Sequence, residues 1–130
     1  MRSSRVKALL AVFSALLVCA CSAGDTAPLP DSLAIGRTRT LSPAQIRVVQ
    51  NAVKANLDNP KSAKFGRIVA GISNTGTTHV CGLVDAKEQD GSYSGMTVYS
   101  GEFDGDAFQF DGLGDSLELI CAQQGLTPER

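Results

Sequence analysis

Apolar residues are continuous near the start of this chain. They then recur at helical spacing, and finally fall into short runs separated by turn residues. The continuous block is ALLAVFSALLVCA, residues 8–20, where only Ser14 is polar. The helical block is LSPAQIRVVQNAVKANLDNP, residues 41–60. Its Ile46, Val49, Val53 and Leu57 recur at i, i+3, i+7 and i+11 and predict one apolar stripe. Ser42 as N-cap, Pro43 in the first turn and Gln45 make a capping box, and Asp58-Asn59-Pro60 is a stop signal. Such a helix packs on a core, or, less commonly, meets a partner.

From residue 67 the spacing shortens. Short strands are expected at residues 67–70, 78–84, 95–99 and 107–110. Turns are expected at residues 73–76, at Asp90-Gly91 and at Asp104-Gly105. Asp115 then reads as the cap of a last helix, with Glu118 in its first turn and Gly125 past its end. The fold class is α+β: an N-terminal helix, a four-stranded antiparallel meander and a C-terminal helix. A two-residue turn at Asp90-Gly91 would pair Val84 with Thr97 and Leu83 with Val98. Cys81, Leu83, Met96 and Val98 then share one face. Val80, Val84, Tyr93, Tyr99, Phe108 and Phe110 share the other. That second face exposes aromatics unless the first helix or the preceding segment covers it, or a bulge at Gly95 or Gly101 switches faces.

The first apolar block is too short for a comfortable bilayer span, and Arg2, Arg5 and Lys7 precede it. Val18-Cys19-Ala20-Cys21 resembles the bacterial lipobox: an aliphatic residue, a small residue, Gly or Ala, then the Cys that is modified. The resemblance implies cleavage after residue 20 and a diacylglycerol thioether on Cys21, which anchors the protein firmly in a membrane. Cys19 fits the modified position poorly, because Val18 would fill the pocket for the small residue. The alternative is an ordinary cleaved signal with an incidental cysteine. Ser22 after the modified Cys favours the outer membrane, facing the periplasm, in a Gram-negative cell. The expected organisation is a signal peptide at 1–20, a lipidated flexible tether at 21–40, rich in Gly and Pro, and one small domain at 41–130. Leu33 and Ile35 are candidates for a short docked strand within that tether.

Composition sharpens this picture. The chain without residues 1–20 carries 9 basic and 13 acidic residues, net −4, which argues against a nucleic-acid partner. The charge is uneven: residues 22–80 are net +4 and residues 81–130 net −8. With Cys19 removed and Cys21 acylated, Cys81 and Cys121 remain. An even pair in an oxidising compartment reads as a disulfide stapling the last helix to the second strand. Two buried free thiols are the alternative.

A second resemblance covers residues 45–103. NPKSAKF, residues 59–65, and VCGLVDAKEQDGSYSG, residues 80–95, are similar to a recurring pattern in small exported bacterial proteins. That pattern runs Asp/Asn-Pro-x-Ser-Ala-x-Phe, then Val-Cys-Gly-x-Val-Asn-x-Lys-Asn, then Gly-x-Tyr-x-Gly. Asp85 and Glu88 stand where it has Asn. The family is uncharacterised, so the resemblance implies a compact exported domain and supplies no catalytic residues to carry over.

Little in the chain suggests a reaction. His79 is the only histidine, so any Ser-His-Asp or Cys-His assembly must use it. At the start of a strand, beside Thr77 and Thr78, it is expected at the surface. Glu102, Asp104, Asp106, Asp111 and Asp115 crowd a Gly-rich stretch and raise the possibility of Ca²⁺, but their spacing is not that of an EF-hand loop. Hairpin turns and a helix cap account for Asp104, Asp111 and Asp115 individually. No metal site and no cofactor are called for. A chain this short without Trp is also poorly equipped to form a sugar-binding cleft.

The expectation is a lipid-anchored envelope protein, not an enzyme. It would contact another envelope protein or a small ligand, with the five acids as its interaction surface. The alternative is an inhibitor of a cell-wall hydrolase such as lysozyme, whose basic surface suits an acidic partner. A small hydrolase comes third.

Overall fold

The computed structural model describes residues 34–130. The expected signal peptide, Cys19, the expected lipidation position Cys21 and the expected tether as far as residue 33 lie outside the described residues. The elements are β1 (Ile35–Arg39), α1 (Pro43–Lys54), a 3₁₀ turn (Pro60–Ser62), β2 (Lys64–Ser73), β3 (Thr78–Asp85), β4 (Thr97–Asp104), β5 (Ala107–Leu113) and α2 (Asp115–Gln123). The strands form one antiparallel sheet in the order β1-β2-β3-β4-β5.

The expected fold class holds, but the sheet has five strands instead of four. The fifth is β1, which lies in the stretch assigned to the tether. Arg37, Thr38 and Arg39 pair with Ile72, Gly71 and Ala70 of β2. IGRTR has one apolar residue, and its last four positions are exposed, so an edge strand of this kind carries no periodic signal. Backbone pairing and the packing of Ile35 against the core hold it.

α1 begins as expected. The Gln45 amide donates to Ser42 Oγ at 3.2 Å, and the Ser42 amide donates to Gln45 Oε1 at 3.0 Å. The helix stops at Lys54, a turn before the predicted end, and Leu57 reaches the core from outside it.

Two of the three β-hairpin turns share one device. In the β2–β3 turn the Ser73 amide donates to the Thr77 carbonyl, and the Gly76 amide to the Ser73 carbonyl. Between β3 and β4, the Glu88 amide donates to the Ser92 carbonyl and the Gly91 amide to the Glu88 carbonyl. Gly76 and Gly91 end these three-residue loops at φ +88° and +82°, which L side chains rarely adopt. The Asp90-Gly91 turn is therefore three residues long, not two. Asp90 Oδ1 accepts from both the Ser92 hydroxyl and the Ser92 amide, bonds that hold its carboxyl below the usual carboxylate range. An extra residue at 94–96 restores the register, so Val84 still faces Thr97 and Leu83 faces Val98. At β4–β5 the loop is Gly105-Asp106, one residue later than expected, because Asp104 pairs with Ala107.

Both faces of the sheet are covered. On one, α1 contributes Val49 and Val53 to a core with Val80, Val84, Tyr99, Phe103 and Phe108, and Phe110 is half-buried against it. The first helix thus covers the aromatic face; Tyr93 stays partly exposed because it lies off the sheet, in the β3–β4 connection. On the other face, α2 contributes Cys121 to a cluster with Cys81, Leu83, Val98 and Leu126, and Met96 packs beside it. A disulfide joins Cys81 to Cys121 and ties α2 to the sheet. Asp115 is not the cap of α2. The N-cap is Gly114, whose amide donates to the Val98 carbonyl, and Asp115 is the first helical residue. The carboxylates of Asp115 and Glu118 in the first turn still complement the helix dipole.

Candidate functional site

Because the spatial order of the strands is their sequence order, the charge split along the chain becomes a charge split across the sheet. β1 and β2 form one side and carry exposed Arg37, Arg39, Lys64 and Arg67. β4 and β5 form the other. Asp104 and Asp106 flank the tip of their hairpin, Asp111 lies on β5, Asp115 opens α2, and all four are exposed. The structure therefore spreads the predicted acids along one edge of the molecule. Among the described residues, no group of three or more His, Cys, Asp or Glu side chains is placed to hold a metal ion.

Asp111 is the extra residue of a bulge: Ser100 pairs with Gly112, and Gly101 pairs with Phe110. A long 3.4 Å contact from the Ser100 hydroxyl reaches its carboxylate. Glu102 differs from the other four acids. It is half-buried, and its Oε2 lies 3.6 Å from Nδ1 of His79.

His79 is buried, contrary to the sequence expectation of a surface residue. It lies near the start of β3, but β3 is the central strand, flanked by β2 and β4, and all its residues from Thr78 to Val84 are buried. The signal was present in the register: pairing Val84 with Thr97 carries His79 opposite Glu102 five rungs away. Its Nε2 has no hydrogen-bond partner among the described residues. No nucleophilic side chain stands in hydrogen-bond contact with this histidine among those residues, and its one charged contact is Glu102.

Residues of the 59–65 and 80–95 stretches meet at the end of the sheet away from the β4–β5 tip. The Tyr93 hydroxyl donates to the Ser62 carbonyl at 3.0 Å, and the Lys87 amide donates to Ser62 Oγ at 2.8 Å. The Gly95 amide donates to Asp85 Oδ1 at 3.2 Å. Lys64 lies over the Tyr93 ring, 4.1 Å from its centroid, with Lys87 at 5.8 Å. These contacts dock the β3–β4 connection onto the 3₁₀ turn. The role of position 85 requires only an acceptor oxygen, which Asp supplies as well as Asn. Together the contacts hold the β3–β4 connection in place.

A cavity of about 370 Å³ opens where β1 ends and β2 continues with its outer side unpaired. Leu41, Ile46, Ile68 and Leu126 contribute its apolar lining, and Arg39 and Arg67 are among its polar residues. Arg39 donates to Thr78 Oγ1 at 2.9 Å, and Arg67 pairs with Glu129 at 3.6 Å, so each guanidinium is already engaged. Comparison with family models, curated proteins and solved structures finds no match to this chain.

Proposed function

We propose that this chain is a lipid-anchored lipoprotein of a bacterial cell envelope, and that its folded domain is a non-catalytic binding module. The observation that carries the binding role is the exposed acidic edge of Asp104, Asp106, Asp111 and Asp115, set against a net-positive opposite side. An edge of one sign attracts a partner of the other and steers its approach. Export is supported by the lipobox-like Val18–Cys21 sequence and by the Cys81–Cys121 disulfide, a bond that persists in oxidising compartments. The partner is a basic envelope protein.

One observation favours a narrower reading as an inhibitor of a basic cell-wall hydrolase. The β4–β5 hairpin ends in a two-residue loop, with exposed Asp104 and Asp106 on either side of Gly105. A short acidic tip of this kind suits insertion into a positively charged cleft. Membrane attachment is tested by Cys21→Ser. The variant is expected to leave the membrane fraction or to accumulate as unprocessed precursor, and normal membrane retention would sink the lipoprotein reading. The binding role is tested by the edge reversal given in the Discussion.

A further inference from the structure

We infer that the two edges of the sheet are complementary and that the occupant of each is a second copy of this chain. β1 and β5 are the edge strands. Among the described residues, the hydrogen bond of β1 beyond its ladder with β2 is the one its Arg39 side chain donates to Thr78, and just before the strand the Asn74 amide donates to the Ala34 carbonyl. Beyond its ladder with β4, β5 has the Asp111 side-chain contact with Ser100. The outer backbone groups of both strands are therefore open to another strand.

Charged residues usually protect such edges, because like charges repel an approaching copy. Here the signs differ: Arg37 and Arg39 stand on β1, while Asp106 stands just before β5 and Asp111 on it. Pairing β1 with β1, or β5 with β5, brings like charges together. Pairing β5 of one copy with β1 of the next brings Asp to Arg and leaves the protective device working in reverse. In this meander β1 and β5 run in the same direction, so a copy related by translation adds β1 parallel to β5 and continues the sheet. The contact is heterologous and repeats, giving short rows instead of a closed dimer. Salt bridges on an exposed rim supply little affinity individually, so the association is weak and depends on local concentration, which a membrane anchor raises.

The test is sedimentation velocity of the full-length chain in detergent across a concentration series. The weight-average mass is expected to rise with concentration at low salt. It should fall to the monomer as salt goes from about 0.05 to about 0.5 M, where exposed charges are screened within a few ångströms. Two variants separate the edges. Arg37→Glu/Arg39→Glu makes both edges acidic, and Asp106→Lys/Asp111→Lys makes both basic. Each alone is expected to stay monomeric, whereas their equimolar mixture associates, because each then meets an edge of opposite sign. A monomer at every concentration overturns the proposal. So does association that survives in either variant alone, or a mixture of folded variants that stays monomeric. Amide exchange of the wild-type chain gives a reading that needs no variant: the amides of β1 and β5 that face away from β2 and β4 should slow as concentration rises. Slowing at β1 that is independent of concentration would assign that edge to the chain's own N-terminal segment and overturn the proposal. Loss of association in Arg37→Glu/Arg39→Glu with the basic-partner contact retained separates this proposal from the binding role, since that role uses only the acidic edge.

Discussion

Tyr99 sits at the centre of the larger core, fully buried, and its hydroxyl has no hydrogen-bond partner among the described residues. Its ring lies across Gly82 on the adjacent strand, where a Cβ would overlap the phenol oxygen, so the ring takes the space a side chain would otherwise fill. Burial pushes the Tyr99 pKa well above its ordinary value of 10.0. The folded chain therefore keeps the phenol proton at a pH where the unfolded chain has lost it. By linkage this contribution to stability is whole below pH 10 and is lost progressively as pH rises through the alkaline range. Tyr99→Phe keeps the ring and removes the unpaired group, an atom whose burial typically costs about 1–3 kcal/mol. The expected outcome is a urea midpoint equal to or above wild type at neutral pH, together with a flatter decline above about pH 10. A loss greater than about 1 kcal/mol would mean that the hydroxyl has a partner, such as a bound water.

α2 is the element least supported by its own sequence. Leu119 and Ile120 face solvent, its N-cap has no side-chain hydrogen bond, and its fully buried residue is Cys121. By contrast, α1 has a complete capping box and buries Val49 and Val53 entirely. The disulfide should therefore matter more to α2 than any packing contact. It closes a loop of 40 residues, worth roughly 4 kcal/mol in the chain-entropy model. Mass spectrometry under non-reducing conditions is expected to recover the Cys81–Cys121 linkage, and two alkylatable thiols in the native protein would refute it. Replacing both cysteines with Ala is expected to lower stability by about that amount. The amides of residues 115–123 should lose exchange protection before those of β3, because α2 undocks while the central strand stays paired. Uniform loss of protection in both would show that α2 and the sheet unfold as one unit.

At the scale of the whole molecule, the relevant property is the separation of charge between the two sides of the sheet. Reversing Asp104, Asp106 and Asp111 to Lys is expected to slow association with a basic partner and to steepen none of the unfolding transitions. Exposed substitutions of this kind usually stay within about 0.5 kcal/mol each. The measurement is the association rate at two ionic strengths, with circular dichroism confirming the fold. Binding untouched by the reversal and independent of salt would remove the acidic edge as the binding surface. The half-exposed Tyr93, between Lys64 and Lys87 at the other end of the sheet, would be the next surface to probe.

Local signals determined much of this protein. The capping box, the valine stripe of α1, the turn glycines, the β3–β4 register and the pairing of Cys81 with Cys121 are short-range or counting arguments, and each was readable from the chain. The charge split was readable too, but only the strand order turned it into two opposed edges. What escaped the sequence depended on neighbours. Ile35, a candidate for a short docked strand, does open β1, but β1 has a single inward apolar residue, so its extent to Arg39 rests on an open β2 edge that no local pattern reveals. His79 looked exposed because the residues before it are polar, yet the central strand buries its side chains from Thr78 to Val84 on both faces regardless of polarity. Asp115 lost the capping role to Gly114 because a hydrogen bond to Val98 fixed the chain one residue earlier. The Ser62, Lys87 and Tyr93 contacts join residues 25 and 31 positions apart, and the spacing of these residues acquired a physical meaning only when the fold brought them together.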